Sequence, residues 1–115
     1  MKFMLLMYND QDGYDRLTKD QQDAAIGRLM KFTDDLAAAG KLVTTHGLAP
    51  RKEAISLRPT KDGGRTVTDG PYCETKEIAG GYYVIEVASK EEALEWAKKL
   101  PLATWGVELR RIHVE

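Results

Sequence analysis

Gly80-Gly81-Tyr82-Tyr83-Val84-Ile85-Glu86-Val87, GGYYVIEV, is the clearest strand in the chain, and the architecture turns on its pattern. Strand side chains alternate, so Tyr83, Ile85 and Val87 share one face while Tyr82, Val84 and Glu86 share the other. Neither face is plainly made for water. The N-terminal stretch Lys2 to Tyr8, KFMLLMY, repeats the pattern, with Phe3, Leu5 and Met7 pointing one way and Met4, Leu6 and Tyr8 the other. Strands apolar on both faces are covered on both sides. Helices supply one cover. In a small domain a partner subunit supplies the second.

Downstream, Ser89 and Glu92 have capping-box spacing and open a helix carrying Ala93, Leu94, Trp96, Ala97 and Leu100. Pro101 stops it. Val107 to Val114 reads as a last strand. Upstream, Asn9 to Asp15 reads as a polar loop containing Gly13. Thr18 and Gln21 form another capping box, and the helix Lys19 to Ala39 follows. Ala25, Leu29, Phe32 and Leu36 recur at helical spacing, and Ile26, Met30 and Ala37 widen the stripe. Gly40 stands where a left-handed cap is needed. Lys41 to Leu48 is a second strand, and Ala54 to Arg58 and Arg65 to Thr68 are short strands around the turn Lys61-Asp62-Gly63-Gly64. The order predicts an α+β fold, the ferredoxin-like βαββαβ pattern with an inserted hairpin. Such a fold has one antiparallel sheet with helices on one face. The bare face is expected against a second copy, in a two-fold homodimer.

A chain of 115 residues is one domain, spanning 1–115, with enough surface to bury for a core without staples. The formal net charge of −1 provides no broad cationic face, so direct nucleic-acid binding is not expected. Cys73 is the sole cysteine, which excludes an internal disulfide and leaves zinc no second thiolate. The opening MKFMLLMYND is too short an apolar run for a membrane span and has no signal-peptide cleavage pattern. A soluble cytoplasmic protein is expected. There is no phosphate-cradling glycine loop and no metal-ligand cluster, so no cofactor or metal is expected.

Before the central strand lies TDGPYCETKE, Thr68 to Glu77. Glycine at position 70 relieves the clash that Pro71 imposes on its predecessor, and Asp69 is able to bond forward to backbone N–H groups. Asp-Gly-Pro is thus a rigid corner. The longer stretch VTDGPYCETKEIAGGYYVIEV resembles the DGPF motif of the YCII-related domain family, with Tyr72 in the usual phenylalanine position. MKFMLLMY, LAAAGKLV, EEALEWAKKLP and VELRRI are also similar to that family, so the resemblance covers essentially the whole chain. The block Thr68 to Val87 is its specific part. The resemblance implies a dimeric α+β barrel. Relatives in the wider group are thought to use a His–Asp pair, and one branch includes a dehydrochlorinase acting on a chlorinated hydroxyhydroquinone, with its histidine on the first helix. No histidine lies between Lys19 and Ala39 here, a departure from that pattern. Some DGPF-type proteins are encoded beside extracytoplasmic-function sigma factors, which implies a regulatory or accessory role.

The candidate catalytic groups are Asp69 and His46; the latter lies near a strand end where a cavity would open. Imidazole suits proton transfer near neutral pH. An aspartate in a turn equally serves as a local cap. Tyr72, Glu74, Lys76, Tyr82 and Glu86 are candidate ligand-binding residues. The plainer roles are a solvated charged loop for Glu74, Lys76 and Glu77, and core or interface filling for the tyrosines. Glu86 interrupts an apolar face and is expected to pair with Arg110 or Arg111 across the interface. His113 is expected to be exposed, and Cys73 to be a small loop residue. Two functions remain open. One is binding of a small polar ligand in a dimer cavity, in a regulatory or accessory role. The alternative is a cofactor-independent lyase or dehydrochlorinase-like enzyme using Asp69 and His46. An enzyme brings at least two titratable groups within hydrogen-bond reach in a concave site.

Overall fold

Strand β1 runs from Lys2 to Asp10 and resolves the two-sided pattern. Phe3, Leu5 and Met7 are buried, while Met4, Leu6 and Tyr8 are half-buried. The structure, a computed structural model, describes residues 1–72, 77–101 and 105–114. After β1 come α1 (Gln11–Asp15), α2 (Lys19–Ala38), β2 (Leu42–Gly47), a 3-10 turn (Arg51–Glu53), β3 (Ile55–Pro59), β4 (Arg65–Asp69), β5 (Glu77–Glu86), α3 (Lys90–Lys99) and β6 (Trp105–Arg111). The sheet has the order β2-β5-β1-β6, with every neighbouring pair antiparallel. The hairpin β3–β4 forms a separate two-stranded sheet. The mixed α+β arrangement is consistent with a ferredoxin-like fold carrying an inserted hairpin.

Both long helices lie against the Phe3 face. Phe32 and Leu36 of α2, and Ala93 and Ala97 of α3, join Phe3, Leu5, Met7, Tyr83, Ile85, Val87 and Leu100 in one core. Phe32 packs edge-on to Tyr83, with ring centroids 5.3 Å apart, and the Tyr83 hydroxyl meets Thr33 Oγ1 at 2.6 Å. A buried phenol therefore keeps a hydrogen bond. Capping follows the sequence at α2: Thr18 accepts from the Gln21 N–H, and the Gln21 side chain accepts from the Thr18 N–H. Gly40, at φ 72°, lets Lys41 N–H reach the Leu36 carbonyl and closes the helix. At α3 Ser89 accepts from Glu92 N–H, but the Glu92 carboxylate reaches back to Ala88 N–H at 2.7 Å, one residue before the cap.

Two expectations change. Asn9 to Asp15 is not all loop: β1 continues to Asp10, whose side chain accepts from Asp12 N–H and starts α1. The last strand stops at Arg111, because Arg111 pairs with Phe3 and β1 starts at Lys2, leaving little strand to pair beyond it.

The opposite face of the sheet carries Met4, Leu6, Tyr8, Tyr82 and Val84, with both long helices on the other side. The molecule measures 49 × 40 × 18 Å, and its radius of gyration is 16.2 Å, against about 13 Å for a compact chain of this length. One layer of helix on one layer of sheet, with a projecting hairpin, accounts for that flatness. No helix among the described residues is long and apolar enough to cross a membrane.

Candidate functional site

The corner after β4 is built from β3. Gly70 has φ 111°, a conformation only glycine adopts readily, and its N–H donates to the Ala54 carbonyl at 2.8 Å. The Ser56 hydroxyl donates to the Gly70 carbonyl at 2.6 Å. Arg58 donates to the Tyr72 carbonyl at 2.7 Å and stacks its guanidinium 4.0 Å from the Tyr72 ring centroid. Ser56 and Arg58 are alternate residues of one strand, so they reach the corner from the same face. Asp69 ends β4 opposite Ile55 and is exposed, and no hydrogen bond reaches its carboxylate among the described residues. The corner is tied down by β3 rather than by an Asp69 cap.

Beneath the corner lies a cavity of about 460 Å³, walled by Pro71, Tyr72, Tyr8, Leu48 and Ala79 and by the segment Ala49 to Ala54. A β-bulge shapes its floor. Met7 pairs with Gly81 and Tyr8 with Ala79, which leaves Gly80 as the extra residue. The Gly80 carbonyl accepts from Leu48 N–H at 2.9 Å and holds Leu48 at the rim.

One row further along the same face, His46, Tyr82, Leu6 and Glu108 lie abreast on β2, β5, β1 and β6. His46 Nδ1 lies 2.8 Å from the Tyr82 hydroxyl. Two titratable groups thus meet on the uncovered face, beside the cavity. A model of the YCII-related domain family matches residues 1–114. The chain belongs to that family. It is also 35% identical over 100 residues to the uncharacterized protein R00369 of Rhizobium meliloti (strain 1021), an alignment covering 87% of this chain and 80% of that protein.

In this YCII-related domain the candidate residues separate into groups. Tyr72 lines the cavity; His46 and Tyr82 bond to each other; Asp69 shares no hydrogen bond with His46. Glu86 is exposed, and Lys2 Nζ lies 4.0 Å from its carboxylate. Within the chain β1 runs between β5 and β6: Lys2 stands directly opposite Glu86, while Arg110 is opposite Met4 and 3.7 Å from Glu108. His113 is exposed beyond β6. Cys73, Glu74 and Lys76 lie outside the described residues. Among the described residues no group of three or more His, Cys, Asp or Glu side chains is placed to hold a metal ion.

The residues that the sequence reading missed are Tyr8, Arg51, Ser56 and Arg58. Ser56 was the most legible of them, as a polar residue between Ile55 and Leu57 in a strand otherwise open to solvent. Arg51 lies in a segment with no periodicity, and nothing local marks it.

Proposed function

We propose that this YCII-related domain binds a small polar ligand in the cavity beneath the Asp69–Tyr72 corner, with a second copy covering the open sheet face. The observation that carries the reading is the corner itself, which forms a wall of a cavity of about 460 Å³. Small-molecule sites span roughly 300–1,000 Å³ and combine an apolar lining with a few polar groups. Half-buried Met4, Leu6 and Tyr8 on a face free of the long helices support the second copy, which would complete a dimeric α+β barrel of the DGPF type. A cytoplasmic regulatory or accessory role goes with this reading.

Sedimentation equilibrium and a thermal-shift screen test it. The parent chain is expected to sediment as a dimer, and Leu6→Glu as a monomer. Compounds that raise the melting temperature are expected to lose that effect in Tyr72→Ala. A monomeric parent that no compound stabilises would falsify the proposal.

A second reading rests on the His46–Tyr82 bond. An imidazole and a phenol within hydrogen-bond reach are able to pass a proton, the minimum for cofactor-independent acid–base catalysis. Asp69 stands outside that pair. In this reading His46→Gln lowers turnover by about 10²–10⁴-fold and leaves ligand affinity nearly unchanged. Equal turnover in parent and variant removes it.

A further inference from the structure

Arg51 enters the cavity wall from the 3-10 turn and is half-buried. Its side chain has no ion pair within 4.0 Å and no hydrogen bond among the described residues. A guanidinium keeps its charge at any physiological pH and presents a fork of N–H donors matched to a carboxylate. Half-buried beside apolar wall and left unpaired, it is a cation waiting for an anion.

The wall around it favours a flat ligand. Tyr8, Leu48, Pro50, Ala54, Pro71 and Tyr72 present rings and aliphatic surface. Tyr72 is held in place by Arg58 through both its carbonyl and its ring, so that part of the wall is preformed. The neighbouring acids set a limit on charge. Glu53 lines the same cavity, and Asp12 and Asp15 share an adjoining cleft with Arg51 and Lys52. Their field opposes a second negative charge on the ligand.

Building on the reading of this cavity as a ligand site, we infer that it takes an aromatic monocarboxylate, with the carboxylate forked on Arg51 and the ring against Tyr8 and Tyr72. The bond is charge-assisted and bidentate, which makes it stronger than a neutral hydrogen bond.

The test is a titration of ¹H–¹⁵N spectra of the whole protein with benzoate and with its neutral isostere benzamide, on the parent, Arg51→Gln and Arg51→Lys. Benzoate is expected to move the amides of Leu48, Ala49, Arg51 and Ala54 and to bind about tenfold or more tightly than benzamide. Arg51→Gln is expected to abolish that preference and keep benzamide binding, and Arg51→Lys to keep part of it. Equal binding of both probes at these amides overturns the carboxylate inference and leaves the cavity reading standing. A benzoate preference that survives in Arg51→Gln overturns the role of Arg51. If neither probe moves these amides, the aromatic-carboxylate inference falls, and the thermal-shift screen decides the cavity reading by itself.

Discussion

His46 and Tyr82 are cross-strand partners on β2 and β5, and the imidazole Nδ1 lies 2.8 Å from the phenolic oxygen with the rings tilted at 49°. The pair sits at the edge strand, on the face away from both long helices. A partly solvated hydrogen bond of this kind contributes about 1 kcal/mol or less. Tyr82→Phe and His46→Gln should each unfold in urea within about 1 kcal/mol of the parent. A double-mutant cycle should show a positive coupling no larger than about 1 kcal/mol. Zero coupling means that the bond is not kept in solution.

Gly81 is the most crowded glycine among those described in the sheet. A Cβ there would stand 2.9 Å from the His46 carbonyl and 2.9 Å from Met7 Cε, below ordinary contact distance. Met7 Cε is the end of a flexible side chain, whereas the His46 carbonyl belongs to the β2 backbone and shifts only with the strand. Gly81→Ala is expected to cost about 1–3 kcal/mol in denaturant unfolding and to shift the His46 amide. Gly27 is the contrast: it lies within α2, and a Cβ added there would meet nothing within 4 Å. Gly27→Ala should therefore stabilise by about 0.5–1 kcal/mol.

Leu36 is fully buried between α2 and the sheet. Leu36→Ala should lower the unfolding free energy by about 2–5 kcal/mol with little change in denaturant slope. A loss under about 1 kcal/mol would show that the helix layer does not pack as described.

Glu92 ties α3 to the turn that precedes it. Its carboxyl is held below the ordinary value of 4.5, first by the Ala88 N–H and then by Lys41, whose Nζ lies 3.2 Å away. The fold therefore favours the carboxylate. Its stabilisation is complete above 4.5 and is lost as pH falls through the lowered folded value. Asp62, lowered from 3.8 by the Thr60 hydroxyl and then by Gly64 N–H, acts in the same direction. Melting temperatures from neutral pH to below 3.8 should fall less steeply in Glu92→Gln than in the parent, with the residual slope carried partly by Asp62.

Much of the fold was legible because its signals are local. The Thr18–Gln21 box and Gly40 mark the two ends of α2, and the alternation from Phe3 to Tyr8 marks a strand with two apolar faces. The short helix α1 was missed because Asp10 starts it by a side-chain cap within a polar, glycine-containing stretch that reads as loop. The intrachain neighbour of Glu86 was not legible for a different reason. That Lys2 stands opposite it depends on which strand lies beside β5, and that is a matter of sheet order.

Residue order alone was enough for the two long helices, the succession of the strands, and strands apolar on both faces, since periodicity and caps are properties of neighbouring residues. It took the folded chain to bring His46 to Tyr82 and not to Asp69, and to place Arg51 and Tyr72 around one cavity. Those relationships follow from strand register, the bulge at Gly80 and the path of the inserted hairpin. Each joins residues distant in the chain, and each is set by how the whole sheet packs rather than by any one segment.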